Sequence, residues 1–210
     1  MNFEDVSFVG GPLDDPDTAD REILDRVPPA LHSILRQVNG LVAFRGGLHL
    51  RGAVRDPLWH SLRHAWDGDD AIHTLFSAVR PSDVPFGQDA LGEQFLLRDG
   101  QVWRLSAEID ELEPLGQTVT EFLEEIVADP TGALGLEPLR RFEIDGGRLS
   151  PGELLSVYPP YVVDTGGTSA RSFCAVPAGD RIRFLAQIAA QLSKLPDGTK
   201  VEFKIRPPDV

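Results

Sequence analysis

Two histidines in this sequence have the spacing of metal ligands. His60 and His64 lie four residues apart, so a helix would place both imidazoles on one face, where they could hold a metal ion. The residues between them lack the glutamate of a metalloprotease helix, and no third ligand suggests itself. Trp59 and Trp66 flank the pair, which a half-buried helix explains equally well. We therefore predict no metal site.

The chain contains one thiol, at Cys174. A thiol can act as a nucleophile, but Cys174 lies between Phe173 and Ala175 in a predicted strand. No histidine follows position 73, so only a residue distant in sequence could activate it. We expect Cys174 to be a small buried apolar residue. A single cysteine also excludes an intrachain disulfide and a cysteine-based zinc cluster.

Paired carboxylates could hydrolyse a glycosidic bond if the fold held them at a suitable separation across a cleft. Glu108 with Asp110 and Glu121 with Glu125 are such pairs, and the helical pair is expected to face water. A hydrolase that uses Glu108 and Asp110 is one alternative function. No phosphate loop, dinucleotide fingerprint or nucleophile elbow is present. We therefore predict no catalytic residue and no cofactor.

The segment 83–97 combines bend-forming and polar residues in an unusual order. Pro85 and Gly87 predict a bend, and Asp89 can accept backbone hydrogen bonds in a turn. Gly92 can adopt a backbone conformation that other residues avoid. This corner either only leads the chain into the next hairpin or presents polar side chains to a partner.

Local patterns predict the elements that position these residues. Alternating apolar residues around turn residues predict hairpins at 41–51 and 95–105. Capping residues, prolines and apolar periodicity predict five helices. They lie at 19–26, after Pro28-Pro29, from Asp56-Pro57 to Trp66, after the capping box Thr118–Glu121, and after Pro177. Ser150–Glu153 is another capping box or a turn, and strands are predicted at 172–176 and 201–205. The mixture predicts an α+β fold, with a mainly antiparallel sheet packed with helices.

The charge balance limits the class of partner. The 210 residues hold 33 acidic and 20 basic side chains, a net charge of −13, which argues against nucleic acid because phosphate binding needs a basic surface. Residues 105–129 contain eight acids and no Lys or Arg. This stretch either keeps the protein soluble or attracts a basic partner. No apolar run approaches a membrane span and the N-terminus lacks signal-peptide features, so we expect a cytoplasmic protein.

Several motifs follow one another in a recognisable order. A helix ends at Val38-Asn39-Gly40; the segment 85–93 comes next, then a strand, the Asp99-Gly100 turn and a second strand. Glu108 and a Thr-x-x-Glu-Phe-Leu helix at 118–123 complete the series. This order over residues 22–128 resembles the SMI1/KNR4 (SUKH) superfamily of bacterial toxin-immunity proteins and fungal cell-wall regulators. The resemblance implies an α+β module that binds and blocks a cognate toxin and has no shared catalytic residues.

The resemblance divides the chain into four parts. They are an N-terminal arm (1–21), a SUKH-like core (22–130), a connecting segment (131–149) and a C-terminal α/β extension packed on the core (150–210). We predict a non-catalytic immunity protein whose acidic surface binds a basic toxin such as a nuclease. We do not expect it to bind a membrane. An interaction scaffold without a toxin partner is the main alternative. The predicted contact residues, whose exposure is assumed, are Asp67, Asp69, Asp70, Gln88, Asp89, Glu93, Glu108, Asp110 and Glu111.

Overall fold

The computed structural model describes residues 2–164, 171–196 and 198–199. Seven of its strands form one antiparallel sheet in chain order, and two more form a separate hairpin. The strands are β1 (Phe8–Val9), β2 (Leu41–Ala43), β3 (Leu48–Leu50), β4 (Val84–Asp89), β5 (Gln94–Arg98), β6 (Gln101–Ser106), β7 (Glu111–Pro114), β8 (Glu153–Tyr158) and β9 (Ser172–Pro177). The helices are α1 (Arg21–Arg26), α2 (Pro29–Gln37), α3 (Leu62–Asp67), α4 (Ile72–Leu75), α5 (Val119–Ala128), α6 (Pro130–Leu134), α7 (Glu137–Ile144) and α8 (Ala178–Leu192). The predicted α+β class is confirmed.

Both predicted hairpins of the sheet are present. β2 pairs with β3 from Leu41 opposite Leu50, and β5 pairs with β6 around the Asp99-Gly100 turn. Asp99 and Gly100 have φ angles of 51° and 80°. Positive φ at both central residues is the type I′ geometry, whose twist matches that of the flanking strands.

One face of the sheet packs on a first apolar layer. Phe95 and Leu97 point to this side, as the alternation of side chains along a strand requires. They meet helices α1, α2 and α5, which bury residues at helical spacing. In α5 the predicted capping box is confirmed, because Thr118 and Glu121 bond each other's backbone N–H groups.

The opposite face packs on a second apolar layer that includes the C-terminal elements. Leu96 of β5 and Leu105 of β6 lie in this layer with Leu154 of β8 and Leu185 of α8. The backbone N–H of Leu155 also donates to the carbonyl of Ala90 at 2.7 Å. The hairpin β8–β9 and helix α8 therefore cover a face of the sheet that would otherwise expose apolar side chains.

The prediction of a helix that starts at Asp56-Pro57 is wrong for its first turn. Leu58–His60 forms a separate 3₁₀ turn, and α3 begins at Leu62 after its cap residue Ser61. The cause is backbone pairing: Gly52 donates to the carbonyl of His60 at 3.0 Å and accepts from Leu62 at 2.9 Å. These bonds hold the chain extended at Ser61 and so prevent a continuous helix.

Three other segments add detail to the sequence analysis. The N-terminal arm contributes β1, which pairs with β2 at one sheet edge. Ser150–Glu153 is a turn before β8, in which the Glu153 carboxylate accepts the backbone N–H of Ser150 at 2.8 Å. The strand predicted at 201–205 lies outside the described residues. Among the residues that the structure does describe, no helix combines the length and apolarity needed to cross a lipid bilayer.

Candidate functional site

Three predicted contact residues lie on the surface at the end of α3 and just after it. Asp69 is exposed and makes no ion pair with the described residues. Asp67 forms an ion pair with Arg26 of α1, and Asp70 accepts from Arg183 of α8 at 2.5 Å. Two of these three carboxylates therefore already have a cationic partner within the chain.

Gln88 and Asp89 lie in the interior, so their assumed exposure is wrong. They are 1% and 6% exposed, because every residue of β4 is buried between its two neighbouring strands and the layers above and below. One Asp89 oxygen accepts the backbone N–H groups of Leu91, Gly92 and Glu93 at 2.8–3.0 Å. The carboxylate thus builds the turn between β4 and β5, as an architectural corner requires, and is not available to a protein partner.

Asp89, Glu93 and Glu108 share one internal cluster around Arg181 of α8. Arg181 is 2% exposed, lies 3.6 Å from Glu108 and donates from Nε to the carbonyl of Leu91 at 3.3 Å. Its Nη1 is buried and has no hydrogen-bond partner among the described residues. Burial lowers the pKa of Arg181, and the neighbouring carboxylates oppose that shift. The structure therefore joins three of the predicted residues, but in a mostly covered cluster around Arg181 and not on an open surface.

Burial changes the protonation of two of these acids. It raises the pKa of Asp89 to about 6 and that of Glu93 to about 8, with the charge of Asp89 as a second cause for Glu93. Desolvation penalises the charged form of a carboxyl group, and a like charge adds to this penalty. Both causes favour the protonated form of Glu93 relative to an exposed glutamate.

Asp110 and Glu111 lie at the start of the edge strand β7 and differ in their contacts. The Asp110 carboxylate accepts the backbone N–H groups of Ser77 and Ala78 at 2.8 and 3.1 Å, and the Ser77 hydroxyl at 2.6 Å. Asp110 therefore holds the loop after α4. Glu111 is exposed and has no ion-pair partner in the described part of the chain.

Arg51 forms the centre of a buried polar network on the second face of the sheet. Its Nη1 donates to the carbonyls of Pro85 and Gly87 at 2.9 and 3.2 Å. Its Nη2 donates to the side-chain oxygens of Gln88 and Gln94, both at 2.7 Å. All four acceptors are neutral, so the guanidinium charge has no counter-ion among the described residues. Burial lowers the pKa of Arg51 to about 9, which leaves it protonated at neutral pH.

Two imidazoles extend this network to the loop before β2. Gln88 Nε2 lies 3.3 Å from His49 Nδ1, and His49 Nε2 lies 2.9 Å from His60 Nδ1. His60 Nε2 lies 3.2 Å from the carbonyl of Asn39. Burial lowers the pKa of both histidines, to about 4 for His60, so the neutral forms are favoured.

The structure separates the two histidines with metal-ligand spacing. His60 precedes α3 in the 3₁₀ turn and bonds His49, whereas His64 lies within α3. They do not share a helix face, because the helix starts only after His60. Among the described residues, no group of three or more His, Cys, Asp or Glu side chains is placed to hold a metal ion.

Cys174 is exposed, so the expectation that it is buried is wrong. It lies in β9, opposite Ser156 of β8. β9 pairs only with β8 among the described residues, and none of its residues is fully buried.

The surface from β7 to the end of α5 carries the acid-only stretch of the sequence. We call its carboxylates the acidic edge; they are Glu108, Asp110, Glu111, Glu113, Glu121, Glu124, Glu125 and Asp129. Within the part of the chain that the structure describes, only Glu108 and Glu113 form ion pairs, with Arg181 and Arg104. β7 is the last strand of the sheet among the described residues, so Glu111 and Glu113 lie at a sheet edge.

An exposed groove with apolar and polar walls borders the acidic edge. Ile109, Val162 and Leu195 line it beside Glu111, and each of the three apolar residues is 38–41% exposed. The backbone N–H of Val162 donates to Glu108 at 2.8 Å, which joins the groove to the edge. Apolar surface next to charge is the arrangement of many protein–protein interfaces.

Sequence reasoning missed the two buried arginines. For Arg51 a signal exists, because Arg51 directly follows β3 and continues its alternation, so that His49 and Arg51 face away from Leu48 and Leu50. For Arg181 the signal is its position in the apolar stripe of α8. The hydrogen-bond partners of either residue come from distant strands and turns, so local patterns do not predict them.

No family model and no curated protein matches this chain. Among solved structures, the chain is similar to the crystal structure of Atu4351 from Agrobacterium tumefaciens, with 12% sequence identity and a TM-score of 0.49. The match covers 87% of this chain and 85% of that chain. We base neither fold nor function on a similarity at this level, and membership of the SMI1/KNR4 superfamily stays a prediction.

Proposed function

We propose that this protein is a non-catalytic binding module whose acidic edge docks a basic protein partner. The observation that carries the proposal is the groove next to the acidic edge, in which Ile109, Val162 and Leu195 are exposed. A partner with an apolar centre and basic rim would bury the groove and pair with the carboxylates. Opposite potentials raise association rates toward ~10⁸–10⁹ M⁻¹s⁻¹ at low salt.

The partner that we propose is a toxin acting in the cytoplasm, whose active site the module covers. The resemblance of residues 22–128 to toxin-immunity proteins supports this part of the proposal. A toxin that cleaves nucleic acid needs a basic groove, and the net charge of −13 is complementary to one. The contact residues retained from the sequence analysis are those at the surface, namely Asp67, Asp69, Asp70, Asp110 and Glu111. Glu108 is not retained, because its side chain is mostly covered beside Arg181.

Three other members of the earlier set have another role in this proposal. Gln88, Asp89 and Glu93 form the internal turn and polar network that support β4 and β5. Substitutions there should act on folding and not directly on docking.

The test uses the toxin domain encoded by a neighbouring reading frame. Co-expression of this chain should restore growth, and the purified pair should bind at least tenfold more weakly at 500 mM than at 50 mM salt, since salt screens exposed charges. Joint substitution Glu111→Lys and Glu124→Lys should weaken binding at least tenfold at low salt.

Glu4→Lys is the matched control, because Glu4 is exposed beside β1, at the other edge of the sheet. If neither salt nor the joint substitution Glu111→Lys and Glu124→Lys changed the affinity, docking through the acidic edge would be contradicted. Tight binding without rescue of growth would instead favour the scaffold alternative. Catalytic turnover abolished by Glu108→Ala or Asp110→Ala would favour the hydrolase alternative.

A further inference from the structure

A cavity of about 200 Å³ lies between α3, α4 and the start of α8. Its walls are mostly apolar, with Trp59, Ile72 and Ile182 among them. Arg51 and Gln88 of the buried polar network also line it. A buried cation with only neutral acceptors therefore borders a space large enough for a ligand.

We propose that this cavity, the Arg51 cavity, binds a small monocarboxylate with an apolar body, whose carboxylate is the counter-ion of Arg51. This binding site goes beyond the docking function proposed above.

The charge of Arg51 is the first reason. Removing a cation from water is costly unless an anion and hydrogen bonds compensate it. The four acceptors of its Nη groups supply hydrogen bonds but no negative charge. A ligand carboxylate in the cavity provides the missing negative charge.

Hydrogen-bond donors without an acceptor, on residues that line the cavity, are the second reason. The Nη groups of Arg51 are fully used, and its Nε–H donates to no acceptor in the described residues. Ser61 Oγ accepts the backbone N–H of His64 at 3.3 Å, so its own proton is free to donate. Trp59 lines the same cavity, and its indole N–H has no acceptor among the residues that the structure describes. Residues that line the cavity therefore carry hydrogen-bond donors that are not used within the described part of the chain.

Size and charge define the class of ligand further. A cavity of about 150 Å³ with apolar walls holds a benzene molecule, so about 200 Å³ accommodates a ring or a branched chain together with a carboxylate. Asp70 stands at the rim, already paired with Arg183. Asp70 and the net charge of −13 disfavour a dianion such as phosphate.

The test measures binding of three probes by calorimetry: benzoate, cyclohexanecarboxylate and 3-methylbutanoate, each up to 10 mM. At least one should bind with a Kd below 1 mM, and its neutral amide should bind at least tenfold more weakly. On binding, the ¹⁵N–¹H signal of Arg51 Nε should shift, which reports contact without any substitution. Absence of binding by all three acids, or equal binding of acid and amide, would overturn the proposal.

A substitution at the cavity mouth locates the site. Gly179 lines the cavity at the exposed start of α8, and a Cβ there meets only Arg183, at 3.6 Å or more. Gly179→Leu should therefore fold and reduce affinity at least tenfold by filling the mouth. Gln191→Leu, at an exposed position near the end of α8, is the matched control and should leave affinity unchanged. Unchanged affinity in Gly179→Leu would place the ligand elsewhere and refute the assignment.

Discussion

The same residue type has two different roles in this protein, depending on burial. Glu124 on α5 is exposed and contributes only surface charge. Glu93, before β5, is packed against Asp89 and accepts the backbone N–H of Ala107 at 3.2 Å. Its raised pKa follows from desolvation first and from the charge of Asp89 second. The pair consequently couples the stability of the fold to pH.

Stability should fall as the pH rises from about 5 to 9. A carboxyl group whose pKa is raised on folding binds its proton more tightly in the folded state. Its contribution to the free energy of unfolding is therefore fully present below the ordinary pKa and is lost as the pH rises through the folded-state pKa. For Glu93 this window runs from 4.5 to about 8. Across this window, the free energy of unfolding measured in urea should fall for both proteins. The fall should be smaller for Glu93→Gln than for the wild type, by at least about 2 kcal/mol.

Glu124→Gln is the control for this experiment, because that side chain is exposed and should leave the pH profile unchanged. Parallel profiles for the wild type and Glu93→Gln would mean that Glu93 is ionised throughout the range. The buried cluster around Arg181 would then hold a charged carboxylate at neutral pH.

Helix α5 depends on its first turn for its position under the sheet. Its N-terminus carries the capping box of Thr118 and Glu121, and its buried side contacts Phe86 and Phe95 through Phe122. The backbone N–H of Thr118 donates to Glu121 at 2.8 Å. The cap therefore orients both the buried side of α5 and the carboxylates of the acidic edge.

Loss of this cap should destabilise the protein modestly. Thr118→Ala removes an acceptor for the N–H groups of the first turn and should cost about 1 kcal/mol in urea unfolding. Thr120→Ala, at an exposed position two residues later, should change stability by less than about half that amount. An equal effect of both substitutions would show that helix propensity, and not the cap, sets the stability of α5.

Local sequence patterns were sufficient for elements of this kind. The Asp99-Gly100 turn, the capping box and the apolar stripe of α8 depend on neighbours within a few residues. The start of α3 was not predictable in this way, because Gly52, ten residues upstream of Leu62, pairs with the backbone there. Burial of Gln88 also depends on distant strands.

Both faces of the seven-stranded sheet are covered, so the C-terminal elements belong to the main fold of the molecule. The second apolar layer takes Leu96 and Leu105 from the sheet and Leu154 and Leu185 from the C-terminal elements. A shared layer of this kind makes independent unfolding of the two parts costly. The molecule should therefore unfold in one transition.

Leu185→Ala tests this coupling, because Leu185 is 1% exposed. Removal of a buried leucine side chain typically costs roughly 2–5 kcal/mol, and we expect about 3 kcal/mol here. All three tryptophans lie outside the C-terminal elements. Tryptophan fluorescence and far-ultraviolet circular dichroism should therefore shift together to lower urea concentration.

Phe184→Ala, at a 40% exposed neighbour, is the control and should shift either signal by less than about 1 kcal/mol. A shift of circular dichroism without a shift of tryptophan fluorescence would contradict the single transition. The hairpin β8–β9 and α8 would then unfold on their own.

The sequence alone determined the class of the fold, most turns and caps, and the location of the acid-only stretch, since periodicity, turn chemistry and charge act between near neighbours. Only the tertiary structure decided which polar residues are buried. Arg51, Arg181 and Asp89 have side-chain types that usually face water, and they are buried because elements far apart in sequence close over them. The same closure leaves Glu111 exposed and forms the cavity beside Arg51, because packing of whole layers, and not residue type, sets the solvent access of each site.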